Sequence, residues 1–374
     1  MWFNHFKVTL RSIFKYKLVS GIKILGLGLG ILCGLLVIIY VKKELSYDRW
    51  IPEHENIYRL YRHWGETRND PTSPAPLDEA LRENIAGLEA VTRVAFSGEA
   101  LLTHEEAYHK VPTMISVNRN FLDCIQLPLA QGNPTTALHA PNSALISEKL
   151  AKQIFGETSP IGKQLLLRNE YYITINGVLA PFKGPSHLDA DLFLSNLDEI
   201  KGGWTDRTPA QIYVRLQPKV DPAQVSEQVS RIYRTEIGLA YQEQERTFDA
   251  DQIPSYKLQA ISAIHKQYKM IVGFNPQGFN FRQVAIIGLL GMVVLLLAIV
   301  NYINLATAQL HKKSEEIGVR RVIGATQKDL IRQFVSNALI HVLLGLTLAL
   351  CIIPYVLPFL NEIVSRSLVQ RDLL

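Results

Sequence analysis

Three long apolar runs organise the chain. Residues 24–41 carry no charge, and two further runs extend over 283–310 and 333–361. About 20 apolar residues in a helix cross a hydrocarbon core about 30 Å thick, and each run reaches that length. Lys and Arg flank all three, which a helix buried in a soluble core does not require. The pattern therefore predicts three membrane-spanning helices. The first run is longer than the roughly 7–15 residues of a secretory signal core, and no small-x-small cleavage site follows it. Leu32 precedes Cys33 in mid-run, which argues against lipoprotein-type cleavage. A retained helix is expected.

Ahead of it, Trp2, Phe3, Phe6, Leu10, Ile13 and Phe14 share one helical face, with Lys7, Arg11 and Lys15 beside them. Such a segment suits either the inner membrane interface or docking on the rest of the protein. Basic residues set the orientation. Lys7, Arg11, Lys15, Lys17 and Lys23 place the N-terminus in the cytoplasm. Lys312, Lys313, Arg320, Arg321, Lys328 and Arg332 place the loop between the second and third helices there too. The expected layout is an amphipathic cytoplasmic helix (1–19), a first span (20–43), a large extracytoplasmic domain (44–281), a second span (282–310), a cytoplasmic loop (311–332), a third span (333–361) and an extracytoplasmic tail (362–374).

Within the large domain, short strands are predicted at 57–61, 91–96, 111–117, 144–146, 165–167, 171–178, 212–216 and 256–261. The segment 212–216 alternates as a half-buried strand should. Helices are predicted at 76–85, at 148–155 with Ser147 as N-cap, and after Asp221, where Pro222 opens the first turn and Val225, Val229 and Ile232 repeat at helical spacing. A helical turn is expected at 120–125. The mixture predicts an α+β domain with βαβ units. Breaks near 132–141 and 181–185 point to two subdomains.

Composition hides this organisation. Of 374 residues 48% are hydrophobic and 20% charged, and the mean hydropathy is +0.08, averages that fit a soluble chain. Cys33 and Cys351 sit in apolar runs and Cys124 stands alone in the large domain, so no disulfide framework is available there.

Enzyme motifs fail on spacing. Five residues separate Gly156 from Gly162-Lys163, and Gln164 follows where a phosphate loop needs Ser or Thr. His104 and His109 are five apart, whereas two zinc ligands on one helix face need four. A surface helix or turn accounts for them. Gly26-Leu-Gly-Leu-Gly30 follows no strand and lies inside a span, so it is not a dinucleotide loop. No catalytic, cofactor-binding or metal-binding residue is expected, and no nucleic-acid partner. Gly26, Gly30 and Gly34, spaced by four, instead suit close helix packing in lipid.

The loop at 311–332 is more distinctive. Thr326 and Asp329 form a capping box that starts a helix running into the third span. Before it, 316–323 predicts a short helix carrying Ile317, Arg320 and Arg321, with Gly324 placed to end it.

The run EIGVRRVIGA at 316–325 resembles the characteristic segment of FtsX-type ABC transporter permeases, a group that includes MacB-type exporters. LRSIFKYK at 10–17, ILGLGLG at 24–30, ELSYDR at 44–49 and NYINLATA at 301–308 are similar to that group as well. NSALISEKLAKQIFG at 142–156 with PIGK at 160–163 is similar to its MacB-like periplasmic core. The resemblance implies a permease subunit of an export or envelope-remodelling complex in the bacterial inner membrane. It implies that Glu316, Gly318, Arg320, Arg321 and Gly324 dock on a separate ATPase subunit whose closure is relayed outward. It also implies a homodimer or pseudo-dimer, with Gly26, Gly30 and Gly34 as interface candidates, and a periplasmic adaptor or lipoprotein as a further partner. Such permeases usually have four spans per unit and this chain shows three, so an N-terminal half or truncated member is expected. A membrane-anchored regulator or receptor, binding a ligand or partner without transport, is the alternative. A secondary transporter ranks last, because Asn301, Asn304 and His341 are the notable polar groups near the spans and helix–helix hydrogen bonds account for them.

Overall fold

The computed structural model of the chain describes residues 13–14, 16–65, 68–206, 208–245, 253–267, 281–312, 318–319, 322 and 326–364. Helix α1 (Lys17–Leu45) is followed by β1 (Ile57–Trp64), β2 (Arg68–Asp70), α2 (Leu77–Asn84), β3 (Leu88–His104), β4 (Ala107–Val117), α3 (Phe121–Cys124), β5 (Leu129–Gly132) and β6 (Ser143–Ser147). Then come α4 (Glu148–Phe155), β7 (Gln164–Leu167), β8 (Tyr171–Leu179), β9 (Leu192–Ser195), β10 (Gln211–Leu216), α5 (Pro222–Glu243), β11 (Ser255–Ala260), α6 (Ile261–Ile264), α7 (Phe281–Lys312) and α8 (Gln327–Val364). The chain divides into a helical unit, Met1–Leu45 with Asn280–Leu374, and an α/β unit, Ser46–Phe279.

Three helices of the first unit are long and apolar enough to cross a membrane, over Lys17–Leu45, Val284–Gln309 and Gln327–Phe359. α1 packs against both α7 and α8, and its glycines decide how closely. Gly28 meets Gly345 of α8 backbone to backbone, where an added Cβ would lie 3.3 Å from the Gly345 carbonyl oxygen. On its other side, a Cβ at Gly30 would overlap that of Ala298 in α7, and one at Gly291 would overlap Val37. Close backbone approach through small residues is the main attraction open to helices in lipid. Pro354 and Pro358 lie inside α8, which membrane helices tolerate when neighbouring groups satisfy the freed carbonyls.

In the α/β unit the strand order is β11-β1-β10-β3-β4-β9-β6-β8-β5, with β2 beside β1 and β7 bridging β3 and β8. The bridge closes a ring. β3 pairs with β4, β4 with β9, β9 with β6, β6 with β8, β8 with β7, and β7 with β3. A six-stranded barrel results, filled by Leu102, Val111, Leu167, Ile173, Ile175 and Leu194, with Leu150 and Phe155 of α4 joining the same core. Small barrels are filled by alternate side chains in this way. At the other end of the sheet, α2 and α5 pack Leu77, Leu81, Val225, Val229 and Tyr233 onto Leu60, Ile212 and Val214. A third core around Phe121, Phe193 and Tyr213 lies between the two.

Local chemistry explains the boundaries. The Ser147 hydroxyl accepts from the Leu150 N–H and starts α4, and Gly156 at φ 60° ends it. Asp221 caps α5 through the Ala223 N–H. Glu105 and Glu106 both have positive φ and make the two-residue β3–β4 hairpin that separates His104 from His109. β10 departs from expectation: all six residues are buried. It lies between β1 and β3, and the alternate residues Gln211, Tyr213 and Arg215 have hydrogen-bond partners there. β3 is also far longer than the predicted 91–96, because it serves both the open sheet and the barrel.

Two predictions follow from this packing. Gly30→Ala should destabilise the detergent-purified protein by about 1–3 kcal/mol through overpacking against Ala298. Gly34→Ala, whose Cβ would meet only Leu295 Cδ2 at 3.9 Å, should cost nothing. Thermal unfolding distinguishes them, and equal stabilities would refute the α1–α7 seam. Burial pushes the Cys124 thiol up to about 12, so almost no thiolate is present near neutrality. In a Cys33→Ser/Cys351→Ser protein, maleimide should label Cys124 only on unfolding, and prompt labelling of the folded protein would contradict its place in the core.

Candidate functional site: helix seam, connecting loop and buried polar array

Gly26, Gly30 and Gly34 all point toward α7 of the same chain. Their nearest contacts are Asn301 Nδ2, Ala298 Cβ and Leu295 Cδ2. Gly28, not singled out by the four-residue spacing, faces α8. α1 is thus glycine-lined on two sides.

A polar cluster sits near one end of that seam. Lys23, though charged, is buried. It donates to Gln309 Oε1 at 2.7 Å and lies 5.6 Å from the Tyr302 ring centroid. Tyr302 in turn packs edge-on to His341 of α8. Sequence reasoning used Lys23 for its charge alone; its burial became visible only once the glycine face fixed the rotation of α1.

The connecting loop is described in part. Gly318 and Val319 are helical and exposed, as is Val322, and among the described residues nothing would lie within 4 Å of a Cβ at Gly318. Glu316, Arg320, Arg321 and Gly324 lie outside the described residues, as do 1–12 of the amphipathic segment and 365–374 of the tail. The capping box is present. The Thr326 hydroxyl and N–H donate to Asp329 Oδ2 at 2.6 and 3.1 Å, and the Asp329 N–H points back to Thr326 Oγ1 at 3.4 Å.

The α/β unit contains a buried polar array that no sequence motif announced. Asp48 accepts from the Ser186 hydroxyl (2.6 Å), the His187 N–H (3.1 Å) and His187 Nδ1 (2.8 Å). A carboxylate only accepts, so Nδ1 carries a proton, and Nε2 lies in hydrogen-bond contact with the Tyr213 hydroxyl at 2.9 Å. Burial raises the Tyr213 phenol, which keeps it a donor. Arg59 donates to Gln211 Oε1 at 3.0 Å and to Gln259 Oε1 at 2.6 Å, and Gln259 donates to Gln267. Burial lowers the Arg59 guanidinium, opposed by Tyr213. Asp48 and Tyr213 are fully buried, Arg59, Ser186, His187, Gln211 and Gln259 nearly so, and Gln267 is exposed. Asp48 also has φ 62°, a left-handed conformation that Asp tolerates better than most residues. Asp48 falls in the run at 44–49, which stood out only for its resemblance to the permease group and gave no indication of the array, of His187, Gln211 or Gln259.

Among the described residues no group of three His, Cys, Asp or Glu side chains is arranged to hold a metal ion. Gly156 and Lys163, which sequence spacing excluded from a phosphate loop, serve as a helix C-cap and a turn ahead of β7.

The family described as MacB-like periplasmic core domain matches residues 20–232, and FtsX-like permease C-terminal matches 288–371. Similar proteins include the ABC transporter permease YknZ of Bacillus subtilis, 20% identical over 91% of this chain and 83% of YknZ. The pyoverdine export ATP-binding/permease protein PvdT of Pseudomonas aeruginosa is 27% identical over 75% of this chain and 41% of its own length. The chain thus spans most of YknZ but less than half of PvdT. Among solved structures, a domain of a permease protein from Porphyromonas gingivalis aligns with 56% of this chain and 92% of its own, at 23% identity and a TM-score of 0.45. With more than half of its residues inside the first family, and the second covering most of α7 and α8, this chain belongs to the FtsX-type ABC transporter permeases and carries a MacB-like periplasmic core domain.

Proposed function

We propose that the chain is the permease subunit of an export or envelope-remodelling complex, in which closure of an ATPase on the cytoplasmic side is relayed to the extracytoplasmic domain. One observation carries this reading. The chain order of one apolar helix, an α/β domain and two apolar helices joined by a short basic loop coincides with both family matches. The loop at 311–332 is the ATPase contact. Glu316, Arg320 and Arg321 offer charge to the partner, and Gly318 and Gly324 allow a tight fit and a stop. Asp329 and Thr326 cap α8 immediately after the loop, which supports a stiff lever, because a capped first turn resists fraying.

PvdT is named an ATP-binding/permease protein, so in that relative both activities are named for one polypeptide. Here the ATPase is assigned to a separate subunit. The assembly is a homodimer or pseudo-dimer in the bacterial inner membrane, its N-terminus cytoplasmic, with a periplasmic adaptor or lipoprotein as a further partner.

Reversing charge at Arg320→Glu/Arg321→Glu should cut recovery of the ATPase with affinity-purified permease by about tenfold or more, as loss of a coupled charge contact predicts. Unchanged recovery would remove the docking role. Asp329→Ala should lower helix stability by about 0.5–2 kcal/mol and weaken the ATPase contact without abolishing it.

A further inference from the structure

We infer that the Asp48–His187–Tyr213–Arg59 array is the joint through which α1 takes hold of the extracytoplasmic domain, its members acting as positioning residues for the relay. The inference rests on the relay proposed above and names where, inside the domain, motion would be received.

The argument begins with connectivity. Asp48 follows the end of α1 at Leu45 by three residues, so the array grips the chain where it enters the domain. Its carboxylate accepts three hydrogen bonds from Ser186 and His187, and its own N–H donates to the Pro185 carbonyl at 2.9 Å. Two residues on, Trp50 donates through Nε1 to the same carbonyl at 3.0 Å. Gly184 lets the indole lie against the strap, since an added Cβ would be 2.8 Å from Trp50 Cδ1. The Pro- and Gly-rich stretch at 181–185 is therefore a clamp on the entering chain.

From the clamp the bonds run into the sheet. His187 reaches Tyr213 on β10, and Arg59 on β1 ties Gln211 of β10 to Gln259 of β11. Three adjacent strands are thereby fixed to the entering segment. β11 leads into α6 and on to Gln267, the last described residue before α7. Gln259 bonds Gln267 directly, and Tyr47 stacks on His265 with ring centroids 3.5 Å apart. Entry and exit of the domain are thus held by one connected set of contacts, buried at its centre and open to solvent at Gln267. Apolar packing alone would resist separation but is non-directional. Hydrogen bonds of fixed geometry also resist sliding and rotation, which a relay needs.

The test uses the full-length protein with its co-purifying ATPase in proteoliposomes. A fluorescent donor on Lys110→Cys, an exposed position of β4, is quenched by acceptor-labelled lipid headgroups. In the otherwise wild-type protein, a non-hydrolysable ATP analogue should change the quenching. Tyr213→Phe removes one hydroxyl and leaves the cores intact. Asp48→Asn keeps the shape but replaces one acceptor oxygen with a donor facing Ser186 or His187. Each should reduce the nucleotide-driven change about threefold or more, while ATP hydrolysis and the folded fraction stay near wild type. Val229→Ala, which thins the α5 core, a cluster that contains no member of the array, should lower thermal stability yet leave the change intact. A full-size response in both joint variants would overturn the joint while leaving the relay standing. No response in the unaltered protein would overturn the relay and the joint with it. A loss in Val229→Ala equal to that in Tyr213→Phe would reduce the array to a stabilising role.

Discussion

A hydrocarbon interior offers a backbone nothing to bond with, and that constraint shapes the helical unit. Each crossing must be a helix satisfied within itself. With apolar surface equally at home in lipid, helices then hold together by approach distance. Glycine supplies that approach on two sides of α1, at Gly28 toward Gly345 and at Gly30 toward Ala298. α7 returns the favour with Gly291 beneath Val37. A seam of this kind fixes helix rotation, and rotation in turn decides which polar groups are enclosed. Lys23 is enclosed and finds Gln309, consistent with the rule that ionisable groups among membrane helices face protein and acquire partners.

The α/β unit answers a different constraint, the open sheet edge. Closing β3, β4, β9, β6, β8 and β7 into a ring removes most of the edge from one half of the sheet, leaving the short β5 beside β8 as its end. The other half ends at β11, where α5 supplies side chains in place of a neighbouring strand. Ser230 bonds both the N–H and the carbonyl of Tyr256, and Ser226 accepts from the Leu258 N–H. β3 belongs to both halves, so the barrel and the helix-covered sheet move as neighbours along one strand.

What the sequence revealed and what it concealed follow from the range of the interactions. α4 and the start of α5 were legible to the residue because their caps, Ser147 and Asp221, act within a few positions. The capping box at Thr326 was legible for the same reason. The three long helices were legible from length and charge alone. β2, β5 and β9 were not, being short strands whose pairing is supplied by distant neighbours. The burial of β10 was missed because the alternation at 212–216 puts Tyr213 and Arg215 on a solvent face until His187 and Glu89 are brought beside them. The polar array was illegible for the most general reason. Its members lie between positions 48 and 267 with no periodicity, and only the folded sheet collects them.

Why such an array persists is a matter of alternatives. A buried carboxylate, imidazole, phenol and guanidinium are costly to desolvate, and replacing such sets with apolar residues often stabilises a protein. The set is tolerable because most of its central polar atoms have partners: Asp48 takes three donors, His187 uses both ring nitrogens, and Arg59 gives a donor to each of two amides, with its buried Nε left over. Stability is therefore a poor explanation for its presence. Direction is a better one, because each bond specifies an angle as well as a contact. The left-handed backbone at Asp48 points the same way. A conformation costing on the order of 1–3 kcal/mol sits where the chain turns from membrane helix into domain, held there by the bonds that orient it.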